Sequence, residues 1–196
     1  MAELTQVWRD IRHARDPRHL RTDRESAWYY HPTMSKRWKP SVTVAAIIER
    51  RGSFLLVEEH TPEGLKLNNP SGHLDPGESL LQGVAREALE ETGCGFAPTH
   101  LLGIYQSRFF RPRDGEDVTY MRFAFTGAAS DPAPGWVLDH GIVRTLWMTA
   151  DELRGCRKRH RSPLVMRCID DYLAGVRYPL SAITTDPTVF APEIKT

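Results

Sequence analysis

Apolar and β-branched residues occur in short runs along the first part of the chain, a pattern typical of β-strands. Residues 42–48 and 53–57 are two such runs, and Arg51-Gly52 between them predicts a turn. Residues 59–69 are mostly polar, and we predict that they form a connection between the second strand and the segment that follows.

Later segments predict a pair of strands followed by a further strand and two helices. Residues 100–110 and 118–125 are rich in aromatic and aliphatic side chains, and the Arg-Pro-Arg-Asp-Gly segment between them has the composition of a loop. A last strand is predicted at residues 142–147, after a proline-rich stretch. Thr149 is suited to cap a short helix, and Pro163 lies near the start of another that runs to about residue 174.

The most regular helical pattern lies in the middle of the chain. Ser79 and Gln82 have the spacing of a capping box, which starts a helix just after Glu78. Gly93 predicts its C-cap, and Gly83 inside it indicates a close approach of the backbone to a packed neighbour. The apolar stripe of this helix consists of Leu81, Val84, Ala85 and Ala88.

Three glutamates occupy the last turn of this helix on a different face from the apolar stripe. Glu87, Glu90 and Glu91 have the i, i+3, i+4 spacing that brings side chains together. Their mutual repulsion, and the negative end of the helix dipole, disfavour this arrangement unless it binds something. A hard divalent cation, Mg²⁺ or Mn²⁺, is the partner that such oxygen ligands favour. A solvated acidic face is the competing interpretation.

The segment that carries these features resembles a Nudix box, the signature of the Nudix hydrolase family. The matching positions are Gly72, Glu78, Arg86, Glu87, Glu90, Glu91 and Gly93. Ala88 and Cys94 are small for the aliphatic positions of the pattern. With this many charged and glycine positions at the right spacing, the chain is identified as a member of the family.

Membership implies the Nudix fold of the α/β class, an α/β/α sandwich around a mixed β-sheet. It also implies hydrolysis of a diphosphate linkage by a water molecule that bound Mg²⁺, or alternatively Mn²⁺, activates. By motif position, the expected catalytic residues are Glu78, Arg86, Glu87, Glu90 and Glu91. Glu87, Glu90 and Glu91 would bind metal together with the backbone carbonyl of Ser71, and Arg86 would hold the carboxylates by ion pairing.

Beyond the box, the chain is similar to the NudJ-type phosphatases of this family. The resemblance rests on KPSVTVA at residues 39–45, SGHL at 71–74, RSPLV at 161–165 and GVRYPL at 175–180. It implies a substrate among nucleoside di- and triphosphates or hydroxymethylpyrimidine diphosphate. The chain departs from the pattern at Asn68-Asn69. ADP-ribose, nucleotide sugars and dinucleoside polyphosphates stay open as alternatives, because the box binds only the diphosphate.

Candidates for substrate binding lie outside the helix, and each has a plainer alternative. His73 is suited to contact phosphate or to form an ordinary hydrogen bond in a turn. Guanidinium groups bind phosphate well, yet loop arginines are often only solvated; the candidates are Arg108, Arg111 and Arg113. Tyr105, Phe109 or Phe110 would stack on a base or pack in the core. Asp139 is the best candidate for an additional acidic residue of the site, ahead of Glu116 and Asp117.

Composition narrows the class of partner. The formal net charge is +1, which argues against nucleic acid as a partner, and no apolar run has membrane-spanning length. The three cysteines lack metal-site spacing and favour reduced thiols in a cytoplasmic protein. We expect a monomer or homodimer that acts on a small phosphoanhydride. A non-catalytic nucleotide-binding module is the alternative class, although such modules usually have damaged boxes.

The chain is predicted to contain one domain with two extensions. Residues 1–33 combine regularly spaced arginines with acidic residues and have little apolar content, which favours a disordered or loosely attached extension. The Nudix domain is assigned to residues 34–182 and a C-terminal tail to residues 183–196.

Overall fold

The computed structural model describes residues 38–111 and 115–191. The described part from Pro40 onward belongs to one compact unit. The predicted extension, residues 1–33, and the loop position Arg113 lie outside the described residues, and the domain boundaries stay predictions.

In the described residues the chain forms nine strands, three α-helices and three short 3₁₀ helices. The strands are β1 (Ser41–Ile47), β2 (Glu49–Arg50), β3 (Ser53–Thr61), β4 (Gly64–Asn68), β5 (Ser71–His73), β6 (Cys94–Arg111), β7 (Glu116–Pro132), β8 (Ile142–Thr149) and β9 (Tyr178–Pro179). The helices are α1 (Leu80–Thr92), α2 (Ala150–Gly155) and α3 (Leu164–Leu173), with 3₁₀ turns at Arg157–Arg159, Leu180–Ala182 and Pro187–Phe190.

Two sheets share these strands. The first has the order β5-β1-β7-β6-β9 and is mixed, because β1 and β7 run parallel while the other neighbours are antiparallel. In the second sheet β3 pairs with β2, β4 and β8. The short strand β5 forms an edge of the first sheet, directly before the loop that leads into α1.

Alternate residues of β1 are buried in two separate cores on opposite faces of the first sheet. Val44 and Ala46 pack against α1 through Val84 and Ala88. The opposite face carries Ala45 and Ile47 in a second core with side chains of β3, α2 and α3. The first sheet is therefore covered by helix on both sides, and the expected α/β/α sandwich around a mixed sheet is confirmed.

Most predicted elements form, with three differences. The prediction for residues 59–69 is wrong in part, because β3 extends to Thr61 and pairs with β4 as a hairpin. Leu65 of β4 is 46% exposed and Leu67 is fully buried, so burial increases along the strand towards Asn68. The strands β6 and β7 pair as predicted but are longer, and β9 follows the strand that was expected to be last.

The three predicted helices form at their predicted start signals. Ser79 and Thr149 cap α1 and α2 with complete capping boxes, and Pro163 precedes α3. Among the described residues, we find no helix whose length and apolar character would let it cross a bilayer.

Candidate active site

The helix α1 is fixed at both ends by local hydrogen bonds. The Ser79 hydroxyl accepts from the Gln82 N–H at 3.2 Å, and Gly93 ends the helix in the left-handed conformation with its N–H donating to the Leu89 carbonyl at 2.8 Å. A Cβ at Gly83 would lie 2.8 Å from Glu78 Oε1 and 3.0 Å from the Leu74 side chain. The close approach that the sequence indicated at Gly83 is therefore real, and it sets α1 against the preceding loop.

Two of the three glutamates point into the protein beside strand β5. Glu87 and Glu91 are each 8% exposed, whereas the Glu90 side chain is 43% exposed. Glu91 Oε2 accepts from the Ser71 N–H at 2.8 Å. A Cβ at Gly72 would lie 2.2 Å from the Glu87 carboxylate oxygens, so the backbone of β5 and this carboxylate are in direct contact.

Burial changes the protonation of both inward-facing glutamates. Desolvation raises the pKa of Glu91 to about 8, with a further contribution from the charge of Glu87, against the Ser71 hydrogen bond that lowers it. Desolvation also raises the pKa of Glu87, while the neighbouring Arg86 acts in the opposite direction. The protein therefore stabilises the ionised forms of these two carboxyl groups only in part.

Arg86 connects the helix to the loop before it. Its Nη1 donates to Glu87 at 2.7 Å and to Glu90 at 2.9 Å, and its Nη2 donates to the His73 carbonyl at 2.9 Å. The Glu78 carboxylate accepts hydrogen bonds from Nε and Nη2 of Arg86, at 3.0 and 2.7 Å, and these bonds lower the pKa of Glu78. One guanidinium thus orients three carboxylates.

The donor set has the chemistry of a site for a hard divalent cation. Carboxylate oxygens are the ligands that Mg²⁺ prefers, and partly uncompensated buried charge favours a cation. Within the part of the chain that the structure describes, no three acidic, His or Cys side chains are already gathered in a metal-binding arrangement. Arg86 explains this, because it binds Glu87 and Glu90 itself; a cation would therefore share these carboxylates with Arg86.

Asp139 lies on a segment attached to the end of α1. Its N–H donates to the Glu90 carbonyl at 3.1 Å, and Trp136 Nε1 donates to the same oxygen at 3.4 Å. The charge of Asp139 contributes to the raised pKa of Glu91. The structure thus brings this candidate, predicted from a distant part of the sequence, near the glutamates of α1.

The other predicted substrate contacts are not all gathered at this site. His73 is exposed at the end of β5, beside the site, with its ring 6.2 Å from that of Tyr120. Arg108 forms an exposed ion pair with Asp117 across the β6–β7 hairpin. Arg111 ends β6, and its side chain is outside the described structure. The Tyr105 hydroxyl donates to Asp171 of α3 at 2.9 Å, so this ring packs in the core that faces α3.

Sequence analysis missed one charged residue close to the glutamates. Arg122 of β7 is 8% exposed, and its Nη2 lies 3.5 Å from the hydroxyl of Ser71, whose N–H binds Glu91. A signal was present, because Arg122 interrupts an otherwise apolar and aromatic strand sequence. Motif matching overlooks it since it lies outside the box.

Comparison with known proteins agrees with this site and fold. Residues 37–168 match the family model described as the NUDIX domain, and the chain therefore belongs to the Nudix family of hydrolases. Phosphatase NudJ of Escherichia coli strain K12 is 36% identical over 146 residues, which are 74% of this chain and 92% of that protein. The protein of the same name from Shigella flexneri matches to the same extent.

A solved structure extends the agreement to three dimensions. A NUDIX hydrolase from Nitrosomonas europaea is 50% identical, with a TM-score of 0.69, and the match covers 76% of this chain and 98% of that protein. The similarity therefore includes the whole fold of the relative.

Proposed function

We propose that this chain is a Mg²⁺-dependent phosphohydrolase that acts on nucleoside di- and triphosphates or pyrimidine diphosphates. The observation that carries the proposal is the pair of buried carboxylates, Glu87 and Glu91, packed against the backbone of Ser71 and Gly72. Similarity to the NudJ phosphatases supports phosphate removal as the activity.

The chemistry divides between the cation and the protein. Glu87, Glu90, Glu91 and the carbonyl of Ser71 would hold Mg²⁺, which when bound neutralises the diphosphate and lowers the pKa of a bound water. Glu91 uses Oε2 to accept from the Ser71 N–H, so Oε1 would be the oxygen that it offers to the cation. Arg86 and Glu78 keep the carboxylates in place through the hydrogen bonds described above.

Several further roles complete the proposal. Asp139 supplies an additional carboxylate to the site from the segment bound to the Glu90 carbonyl. His73, which follows Gly72 on β5, is placed to contact a phosphate at this edge of the sheet. Arg108, Arg111 and Tyr105 stay candidates for contacts with the rest of the substrate.

A product-resolved activity screen with Mg²⁺ tests the proposal. The panel contains nucleoside di- and triphosphates, hydroxymethylpyrimidine diphosphate, ADP-ribose and a dinucleoside polyphosphate. We expect orthophosphate release from the first two groups. Cleavage confined to ADP-ribose or the dinucleotide would overturn the substrate class and keep the metal chemistry.

The variant Glu91→Gln is the matched control for this screen. It keeps the volume of the side chain and removes its charge, so we expect turnover to fall by about 10²-fold or more, since metal-held carboxylates supply much of the rate enhancement. Wild-type turnover in Glu91→Gln would contradict the metal-site assignment. A folded wild-type protein that cleaves nothing in the panel would instead favour a nucleotide-binding module.

A further inference from the structure

Arg122 carries its charge into the interior without a directly hydrogen-bonded carboxylate among the described residues. It is 8% exposed, its buried Nη1 has no hydrogen-bond partner among the described residues, and its Nη2 lies 3.5 Å from Ser71 Oγ. The thiol of Cys168 also interacts with the guanidinium. None of the described carboxylates forms a close ion pair with it, although the charges of Glu59 and Glu91 act on it from a greater distance. Buried arginines in proteins are normally paired, so this arrangement is unusual.

The position of Arg122 connects it to the glutamates of α1 through a single residue. Ser71 uses its hydroxyl for the contact with Arg122 and its N–H for Glu91. Asn68 Nδ2 donates to the same hydroxyl at 3.2 Å, and the Oδ1 of Asn68 is buried and without a partner. Two residues that contact Ser71 thus carry an unpaired polar atom, a donor on Arg122 and an acceptor on Asn68. Ser71 in turn binds Glu91, one of the carboxylates proposed to bind metal.

The energetics indicate that Arg122 does not stabilise the ligand-free protein. Burial removes most of the guanidinium from water, and a charged group loses its hydration there unless the protein replaces it. A buried charge that lacks a close counter-ion destabilises a fold, and replacing it with an apolar side chain of similar volume is often neutral or stabilising. A residue that is unfavourable in the free protein is explained when a ligand supplies its missing partner.

We propose that Arg122 is a substrate-binding residue, whose free Nη1 donates to a phosphate oxygen of the substrate held at the glutamates of α1. This inference rests on the proposed function. A base carbonyl also accepts hydrogen bonds, but the full charge of Arg122 and its lack of a carboxylate favour an anionic oxygen. The single-residue connection to Glu91 places the guanidinium next to the diphosphate rather than at the far end of the substrate.

The test compares Arg122→Met and Arg122→Lys with the wild type and with Arg154→Met. Arg154 is a matched control, because it pairs with Asp151 and Asp170 on the helices α2 and α3 and belongs to no candidate site. Calorimetry with Mg²⁺ measures binding of methylenediphosphonate, a non-hydrolysable diphosphate, and of α,β-methylene-ADP. Thermal unfolding of the metal-free and ligand-free protein is recorded in parallel.

We expect Arg122→Met to weaken methylenediphosphonate binding by about 10-fold or more, the usual scale for a charged hydrogen bond, and to raise KM more than it lowers kcat. Its ligand-free Tm should equal or exceed that of the wild type. Arg122→Lys should retain part of the affinity, and Arg154→Met should bind like the wild type.

Each contrary result has a separate meaning. A lower ligand-free Tm in Arg122→Met would show a structural role and overturn the inference. Weaker binding of the nucleotide analogue alone would assign Arg122 to the base and overturn the phosphate contact. If the wild type hydrolyses nucleotides and Arg122→Met does so with unchanged KM, only this inference fails. If the wild type neither binds the probes nor hydrolyses nucleotides, the proposed function fails with it.

Discussion

Glu91 shows how one side chain couples the protonation of the site to the stability of the fold. Its carboxylate is buried and receives a hydrogen bond from the backbone of β5, yet desolvation still raises its pKa to about 8. The protonated form is therefore favoured in the metal-free protein near neutral pH. The proposed binding of a divalent cation requires the opposite form, so proton and metal would compete for this residue.

The raised pKa of Glu91 predicts a loss of stability at alkaline pH. Between its usual value of 4.5 and about 8, the folded protein holds a proton that the unfolded chain has released, so stability falls as pH rises through this range. We expect the Tm of the metal-free wild type to fall from about pH 7 to about pH 8.5, and that of Glu91→Gln to fall less. Burial lowers the pKa of His160, which is mostly neutral in both states over this range. Parallel pH profiles of the two proteins would contradict the assignment.

The contact between Gly72 and Glu87 predicts a change in activity without a change in fold. In Gly72→Ala the new methyl group would lie 2.2 Å from the Glu87 carboxylate, which is too close for two unbonded atoms. The carboxylate must therefore move, and it can do so because it is the end of a flexible side chain. Displacing a catalytic group by about 1 Å can cost on the order of 10²-fold in rate, so we expect kcat to fall by about 10-fold or more. Steady-state kinetics and thermal unfolding measure the two effects.

Gly155→Ala is the control for this substitution. A Cβ at Gly155 meets no atom within 4 Å, so activity and Tm should stay close to the wild type. If Gly72→Ala retains full activity, the position of Glu87 is not critical for turnover.

Residues of the box could be predicted from sequence because their spacing is fixed along one helix and one loop. The partners of Ser71 could not, since Glu91 and Arg122 reach it from α1 and β7, which are distant in the sequence. Tyr105 illustrates the same limit. Its aromatic character fits either a base or a core, and only the hydrogen bond to Asp171 shows how its hydroxyl is used in the folded chain.

At the scale of elements, α1 and α2 begin with the same capping motif but differ in what they support. Ser79 with Gln82 and Thr149 with Glu152 both form complete capping boxes. The helix α1 carries the glutamates and packs on β1, whereas α2 packs against β8 and α3 and contributes Leu153 to the other core. The same local interaction therefore serves the site in one case and only the core in the other.

This difference predicts that two cap substitutions have equal cost in stability and unequal cost in activity. Removing an N-cap hydroxyl destabilises a protein by about 1 kcal/mol, so Ser79→Ala and Thr149→Ala should lower the free energy of unfolding by similar amounts in urea. Only Ser79→Ala loosens the helix that positions Glu87 and Glu91, and we expect kcat/KM to fall in this variant alone. Equal kcat/KM in both variants would show that the start of α1 does not control the site.

Elements with clear start and end signals in their own sequence could be predicted, whereas elements that depend on pairing with another strand could not. The start of α1 follows from its capping box, which is local. The strand β4 has a polar composition and depends on its hydrogen bonds to β3 and on the burial of Leu67, which no local signal reveals.

At the scale of the molecule, the candidate site lies at the β5 edge of the first sheet, where helix, loop and strand meet. If its buried carboxylates bind a divalent cation as proposed, the folded protein binds it more tightly than the unfolded chain does. Binding to the folded state alone raises stability in proportion to the logarithm of the ligand concentration.

Mg²⁺ should therefore stabilise the whole molecule. At a concentration of about 100 times Kd the gain is about 2.7 kcal/mol, which corresponds to a rise in Tm of about 5–10 °C for a domain of this size. Thermal unfolding with increasing Mg²⁺ measures the effect, EDTA should reverse it and abolish turnover, and Glu91→Gln should show little of it. An equal shift in Glu91→Gln would locate the cation elsewhere.

The segment between β7 and β8 is attached to the end of α1 mainly by hydrogen bonds of its backbone, so several of its side chains could be substituted without breaking the attachment. Its anchors are the N–H of Asp139 on the Glu90 carbonyl, the N–H of Ala133 on the Gly93 carbonyl, and the indole of Trp136. Backbone donors do not depend on the identity of the side chain, and Pro134, Val137 and His140 are exposed. A library randomised at these three positions would therefore sample new surfaces beside Asp139 without removing the hydrogen bonds that attach the segment to α1, and a screen of the library would measure whether this segment affects substrate choice.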